Sequence, residues 1–152
     1  MREVTRAAGA PLFVNDRIDL ALATGADGVH LPARGLPARP ARRAAGAQLM
    51  IGASCHSLDE ANMQVRGGAD FVTFGPVWPT PSKAAFGAPL GPERLAEAVI
   101  ALSVPVFALG GVDVARAREA VALGARVACI GAALGAPDPA AGARALASAV
   151  GS

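Results

Sequence analysis

The sequence predicts an α/β fold of the (β/α)-barrel type, with parallel strands and alternating helices in one domain. Three observations predict it. Short apolar runs alternate with amphipathic stretches along the 152 residues. A five-residue pattern recurs as GADGV (Gly25–Val29), GADFV (Gly68–Val72) and GARVA (Gly124–Ala128), each time at a helix-to-strand passage. Small or polar residues gather after nearly every apolar run, the end at which barrels of this type carry their sites. An open doubly wound sheet is the competing form, but it would concentrate such residues near one switch point.

The strands are read at Leu12–Val14, Gly28–Leu31, Leu49–Cys55, Phe71–Gly75, Val104–Gly110 and Val127–Gly131. Most are continuously apolar, as expected of parallel strands covered on both faces. The helices are read at Ile18–Ala26, Pro40–Ala45, Leu58–Arg66, Pro92–Leu102, Val114–Leu123 and Ala140–Val150. Ser57 and Asp113 are placed to cap the helices that follow them. In the repeated pattern, glycine at the helix C-terminus takes positive φ and turns the chain back to the sheet. Six strands are visible where a closed barrel of this class has eight.

Composition narrows the function. Hydrophobic residues make up 53% of the chain, enough for a core, and the net charge is only +2 with arginines scattered. No basic stripe with interleaved aromatics is present, which argues against nucleic-acid binding. No apolar run reaches the length of a membrane span, and the N-terminus has no signal-like apolar segment, so a cytoplasmic protein is expected. Cys55 and Cys129 lack CxxC spacing and sit in apolar runs, as buried structural thiols do.

Candidate site residues follow the strands. FGPVWPTPSK (Phe74–Lys83) leaves the core through three prolines and ends in Thr80, Ser82 and Lys83, two hydroxyls and an ammonium suited to phosphate. ALGGVD (Ala108–Asp113) is a strand, a double glycine and a helix start, where Gly111 lets a ligand approach backbone N–H groups. Asn15 and Asp16 follow the first strand. Asp16 is read either as an N-cap for the next helix or as an oxygen ligand for Mg²⁺, with the cap favoured by spacing. IGASCHS (Ile51–Ser57) offers Ser54 as a donor at the barrel mouth and His56 as part of a helix cap. The GxSxG pattern of a nucleophile elbow is absent.

Taken together, NDR, GVHLP, IGASCHS, FGPVWPTPSK, ALGGV and the run ending at Gly131 resemble the thiamine phosphate synthase superfamily, which includes the TenI-like thiazole tautomerases. The resemblance implies a thiamine biosynthesis transferase on a (β/α)8 barrel. Such an enzyme couples hydroxymethylpyrimidine diphosphate to thiazole phosphate with Mg²⁺ and releases pyrophosphate. It implies Asn15 and Asp16 by the diphosphate and metal, and Ser54 on the pyrimidine or diphosphate. Thr80 and Ser82 would hold the thiazole phosphate, and Lys83 would pair with the departing pyrophosphate. Gly111, Ile130 and Gly131 would lend backbone to the phosphate cradle.

Three departures qualify that reading. The resemblance begins at the family's third strand, so a barrel lacking its first two βα units is expected over residues 1–152. Sheet edges left open in that way invite self-association. The family's second metal-binding aspartate corresponds to Gly35 in HLPARGLP, which weakens the expectation of Mg²⁺. Gly131 stands where the family often has serine. HLPARG is closer to the tautomerases, whereas Pro76 in GPVWPT is closer to the synthases. The alternatives are therefore a thiazole tautomerase and a non-catalytic phosphate-binding or regulatory remnant.

Overall fold

Six parallel strands form a single sheet in strictly sequential order in the computed structural model, which describes residues 1–80 and 88–151. The strands are β1 (Phe13–Asn15), β2 (Gly28–Leu31), β3 (Met50–Cys55), β4 (Phe71–Phe74), β5 (Val106–Ala108) and β6 (Arg126–Val127). The described helices are α1 (Arg2–Ala7), α2 (Ile18–Ala23), α3 (Ala38–Ala45), α4 (Leu58–Arg66), α5 (Gly91–Ala101), α6 (Val114–Ala122), α7 (Gly131–Leu134) and α8 (Pro139–Ala149). Parallel strands in sequential order without a reversal, given the right-handed crossover general to such units, put the connecting helices on one face of the sheet. That is the arrangement of a barrel wall and not of a doubly wound sheet.

Burial separates the two faces. Val29, Leu31, Ile51, Ala53, Cys55, Val72, Phe74, Val106 and Ala108 alternate along the strands and are buried beneath the helices. Their neighbours Phe13, His30, Ser54, Phe71 and Phe107 lie on the other face and are only half-covered. The strands are thus fully buried on one side alone, although their sequences are apolar throughout.

The inner face is filled by a row of rings. Phe71 packs edge-on against Phe13 at 5.3 Å and against Phe107 at 5.2 Å between centroids. Glycines make room for them. A Cβ on Gly28 would stand 2.2 Å from the Phe13 ring, and one on Gly52 would stand 2.2 Å from the Phe71 ring. Large rings over missing side chains let a chain with few aromatics fill a wide interior.

The recurring GAD pattern has a specific physical role. Asp70 accepts a hydrogen bond from the Ile51 N–H at 2.7 Å and pairs with Arg42 of α3. Asp27 accepts from the Leu12 N–H at 2.7 Å and pairs with Arg2 of α1. Each carboxylate therefore satisfies an N–H at the start of the neighbouring strand while an arginine from the helix leading into that strand neutralises it. The third copy has Arg126 in place of the aspartate, and its guanidinium lies 5.8 Å from the Phe107 ring centroid.

The helix caps follow the sequence in two places. Ser57 accepts from the Glu60 N–H, and Asp113 accepts from the Arg116 N–H. Glu60 returns the contact by accepting the His56 backbone N–H at 2.7 Å, which completes a reciprocal cap of the capping-box kind. Two expectations are corrected. Arg17, not Asp16, occupies the N-cap position of α2, and no side chain caps that helix. Strand β6 ends at Val127, and Gly131 opens the short helix α7 instead of ending a strand. Helix α1, Arg2–Ala7, is a further element not assigned from the sequence, because its composition is polar.

The Asp27 carboxyl is held below its ordinary 3.8 by the Arg2 guanidinium first and the Leu12 N–H second. A depressed folded-state pKa stabilises above the unfolded value and loses that contribution as the pH falls through the folded one. Asp27→Asn should therefore lower the melting temperature near neutral pH. The gap from the parent chain should close as the pH drops below about 4. Thermal melts from pH 7 to pH 2 check this, and a pH-independent gap would refute it.

Candidate active site

Parallel register places the carboxyl ends of all six strands along one rim. Asn15 ends β1 and Asp16 follows at φ 64°, a left-handed conformation that aspartate tolerates better than most side chains. The Asp16 N–H donates to the His30 carbonyl at 2.9 Å, tying β1 to β2. Its carboxylate lies beside Gly35, where a Cβ would be 2.8 Å from Asp16 Oδ1 and 2.8 Å from the Pro32 ring. Any side chain at position 35 would have to displace both neighbours.

The next two strands bring polar side chains together. Ser54 pairs in register with Thr73 of β4, and Thr73 Oγ1 lies 3.4 Å from Ser54 Oγ. His30 Nε2 lies 3.2 Å from the same threonine oxygen. Burial lowers the His30 pKa, which favours the neutral ring. Thr73 was not foreseen as a site residue, although a hydroxyl within the apolar run FVTF was the available signal. His30 is the polar residue within the otherwise apolar run GVHL.

The loop after β4 is clamped to the backbone after β5. Val77 N–H donates to the Leu109 carbonyl at 2.9 Å, and Trp78 N–H donates to the Gly110 carbonyl at 3.1 Å. Leu90 and Gly91 N–H groups donate back to the Pro76 and Val77 carbonyls at 2.8 and 3.0 Å. Val77 and Trp78 are buried, so the first residues after β4 pack inward. The Gly75–Pro76 bond is cis.

Close approach explains the double glycine. A Cβ on Gly110 would stand 2.6 Å from Pro76, and one on Gly111 would stand 2.6 Å from the Pro79 carbonyl oxygen. Both residues also have positive φ, 91° and 67°, which disfavours any side chain there. Arg116 of α6 braces the turn by donating to the Gly111 carbonyl at 2.7 Å. Among the described residues, none accepts the Gly111 N–H.

Asp16, Ser54, Thr80, Gly111, Ile130 and Gly131 thus all lie at or beyond the carboxyl ends of strands in one sheet. The expected hydroxyl and ammonium of Ser82 and Lys83 fall outside the described residues. Ile130 is exposed and precedes α7, whose first N–H groups have no intrahelical acceptor. Two clefts lie elsewhere. One of about 520 Å³ is bordered by Asp27, Arg42 and Asp70 near the strand starts, and one of about 530 Å³ runs between α3 and α4. Neither of these two clefts includes a predicted site residue.

The metal chemistry has a limited donor set. Among the described residues, no group of three His, Cys, Asp or Glu side chains converges. Asp16 supplies one carboxylate, with the Asn15 amide next in sequence. That set suits Mg²⁺ only in the mode in which one carboxylate, waters and substrate phosphates share the ion.

These features define a (β/α) barrel wall with polar side chains and close-packed glycines gathered at its carboxyl edge. The model of the thiamine monophosphate synthase family matches residues 1–134, and the chain belongs to that family. It is 53% identical over 147 residues to a putative thiamine-phosphate synthase of Geobacter sulfurreducens, covering 96% of this chain and 69% of that protein. It is 46% identical over 144 residues to a thiamine-phosphate synthase of Roseiflexus castenholzii, covering 94% and 63%. Thiamine phosphate pyrophosphorylase from Pyrococcus furiosus superposes with a TM-score of 0.89 at 37% identity, covering 98% of this chain and 71% of that one. The chain therefore spans about two thirds of the length of these relatives. Among the described residues, no helix is long and apolar enough to cross a membrane.

The cysteines differ in chemistry. Burial pushes the Cys55 thiol up to about 12, whereas Cys129 is half-exposed near the rim. A thiol reagent at pH 8 should modify Cys129 and leave Cys55 untouched until the protein is denatured. Rapid labelling of both in the native state would contradict the packing described.

Proposed function

We propose that the chain acts as a thiamine phosphate synthase, joining hydroxymethylpyrimidine diphosphate to thiazole phosphate with loss of pyrophosphate. The observation that carries this reading is the shared rim. Asp16, Ser54 and the loop clamped on Gly110 and Gly111 stand at the carboxyl ends of one parallel sheet. The family and relatives named above support it.

In this reading the carbon–oxygen bond to the diphosphate breaks, pyrophosphate leaves, and the thiazole nitrogen captures the resulting pyrimidine cation. The protein's contribution is alignment and charge stabilisation. Ser54 donates its hydroxyl proton to the pyrimidine or a phosphoryl oxygen. Lys83 meets the departing pyrophosphate with positive charge. Thr80 and Ser82 orient the thiazole phosphate, while backbone at Gly111, Ile130 and Gly131 cradles its oxygens. Asn15 and Asp16 face the diphosphate, where Asp16 would hold Mg²⁺. When bound, that ion would neutralise diphosphate charge. A single carboxylate implies that it arrives with the diphosphate instead of waiting in a preformed cage. A cytoplasmic location and association between copies of the chain belong to the same reading. Light scattering that finds only monomer would contradict the self-association.

A thiazole tautomerase is the second reading, and one observation favours it. The Asp16 carboxylate and Pro32 crowd the position above Gly35, so a second acid is absent and has no ready space. Against it stands Pro76, buttressed by the Gly110 backbone, where tautomerases can carry a histidine.

Assaying thiamine phosphate formation beside thiazole carboxylate phosphate isomerisation tests the two. The synthase reading expects thiamine phosphate, with Ser54→Ala reducing turnover by roughly tenfold. Lys83→Ala should reduce it by roughly a hundredfold. Isomerisation without condensation would replace it with the tautomerase, and neither activity would leave a phosphate-binding remnant.

A further inference from the structure

The geometry points to His30 and Thr73 as positioning residues that aim the Ser54 hydroxyl proton into the site, through a relay from His30 Nε2 to Thr73 Oγ1 to Ser54 Oγ. This rests on the synthase reading of the rim and adds two residues to it.

The arrangement crosses a whole strand. His30 is on β2 and Thr73 is on β4, with β3 between them. The register partner of His30 on β3 is Gly52. A Cβ there would stand 2.9 Å from His30 Cδ2, so only glycine leaves the imidazole free to pass over β3. The ring is supported from below by Phe71, whose centroid lies 6.2 Å away. It then reaches Thr73 at 3.2 Å, and Thr73 reaches Ser54 at 3.4 Å. The second distance is long for a hydroxyl pair, as hydrogen bonds in ligand-free sites often are.

Proton counting gives the relay its direction. Thr73 is buried and carries one hydroxyl proton. If His30 donates from Nε2 to Thr73 Oγ1, the threonine proton passes to Ser54 Oγ. The serine proton is then free to face the substrate. If His30 instead accepts at Nε2, both hydroxyl protons turn toward it, and Ser54 offers only lone pairs. A phosphoryl oxygen or a pyrimidine nitrogen needs a donor, so the Nε2–H form is the productive one. Burial favours a neutral ring, which carries a single proton and therefore has a definite sense.

Two measurements on the full chain test this. Ring ¹⁵N spectra should show His30 protonated at Nε2, with His56 the sole other histidine to assign. Thr73→Val should shift that resonance, while Thr73→Ser should restore it. In the condensation assay, Thr73→Val should lower kcat about tenfold, and Thr73→Ser should stay within about twofold of the parent. Thr73→Val combined with Ser54→Ala should be no slower than Ser54→Ala alone, because the threonine acts only through the serine.

A ring protonated at Nδ1 would overturn the inference. So would parental kcat in Thr73→Val, or losses from the two substitutions that multiply. A parent chain that makes no thiamine phosphate would overturn the synthase reading and with it the relay's role in turnover. The ring spectra would still report whether the hydrogen-bonded chain exists.

Discussion

Parallel, sequential strand register is the constraint on which the rest depends. It sends the carboxyl end of every strand to one rim, so residues far apart in sequence meet without any long-range design of their own. The register is pinned at the opposite end. Asp27 and Asp70 each hold an N–H at the start of a neighbouring strand, with Arg2 and Arg42 closing the contact. One end of the sheet is thus an anchoring layer of ion pairs and the other a chemical layer. The same short pattern that ends a helix also sets the height at which the next strands begin.

Between the two layers, packing and chemistry share residues. Gly52 admits the Phe71 ring on the inner face and clears the path of His30 toward Thr73. Gly110 and Gly111 admit the proline-rich rim loop, which then buries Val77 and Trp78. In both places the absence of a Cβ does the work: a backbone or ring approaches closely, and a polar group is carried to the rim with it. A side chain at any of these positions would disturb packing and site geometry together.

Much of this was legible in the sequence because it rests on local rules. Glycine after a helix, Ser57 and Asp113 as caps, and helix α4 over Leu58–Arg66 follow from patterns a few residues long. The resemblance located Asp16, Ser54 and Gly111 by motif, and the register places them along one edge. What could not be read required contacts across the sheet. The relay partner Thr73 is separated from His30 by 43 positions. The crowding of Gly35 by Asp16 depends on how two loops pack. The cap position of α2 passed from Asp16 to Arg17 because the aspartate takes a left-handed conformation and turns its carboxylate toward the rim. The continuous apolar character of the strands overstated burial, since Phe13, Phe71 and Phe107 on the inner face are only half-covered.

The central claim is that strand exits from β1 to β6 form one phosphoryl-binding rim. Amide spectra of the chain recorded during titration with inorganic pyrophosphate and Mg²⁺ test it most directly. The account predicts concerted shifts at Asp16, Ser54, Gly111 and Gly131, with little change around Asp27, Arg42 and Asp70. Shifts confined to that arginine-bearing end, or scattered over both ends of the sheet, would contradict it.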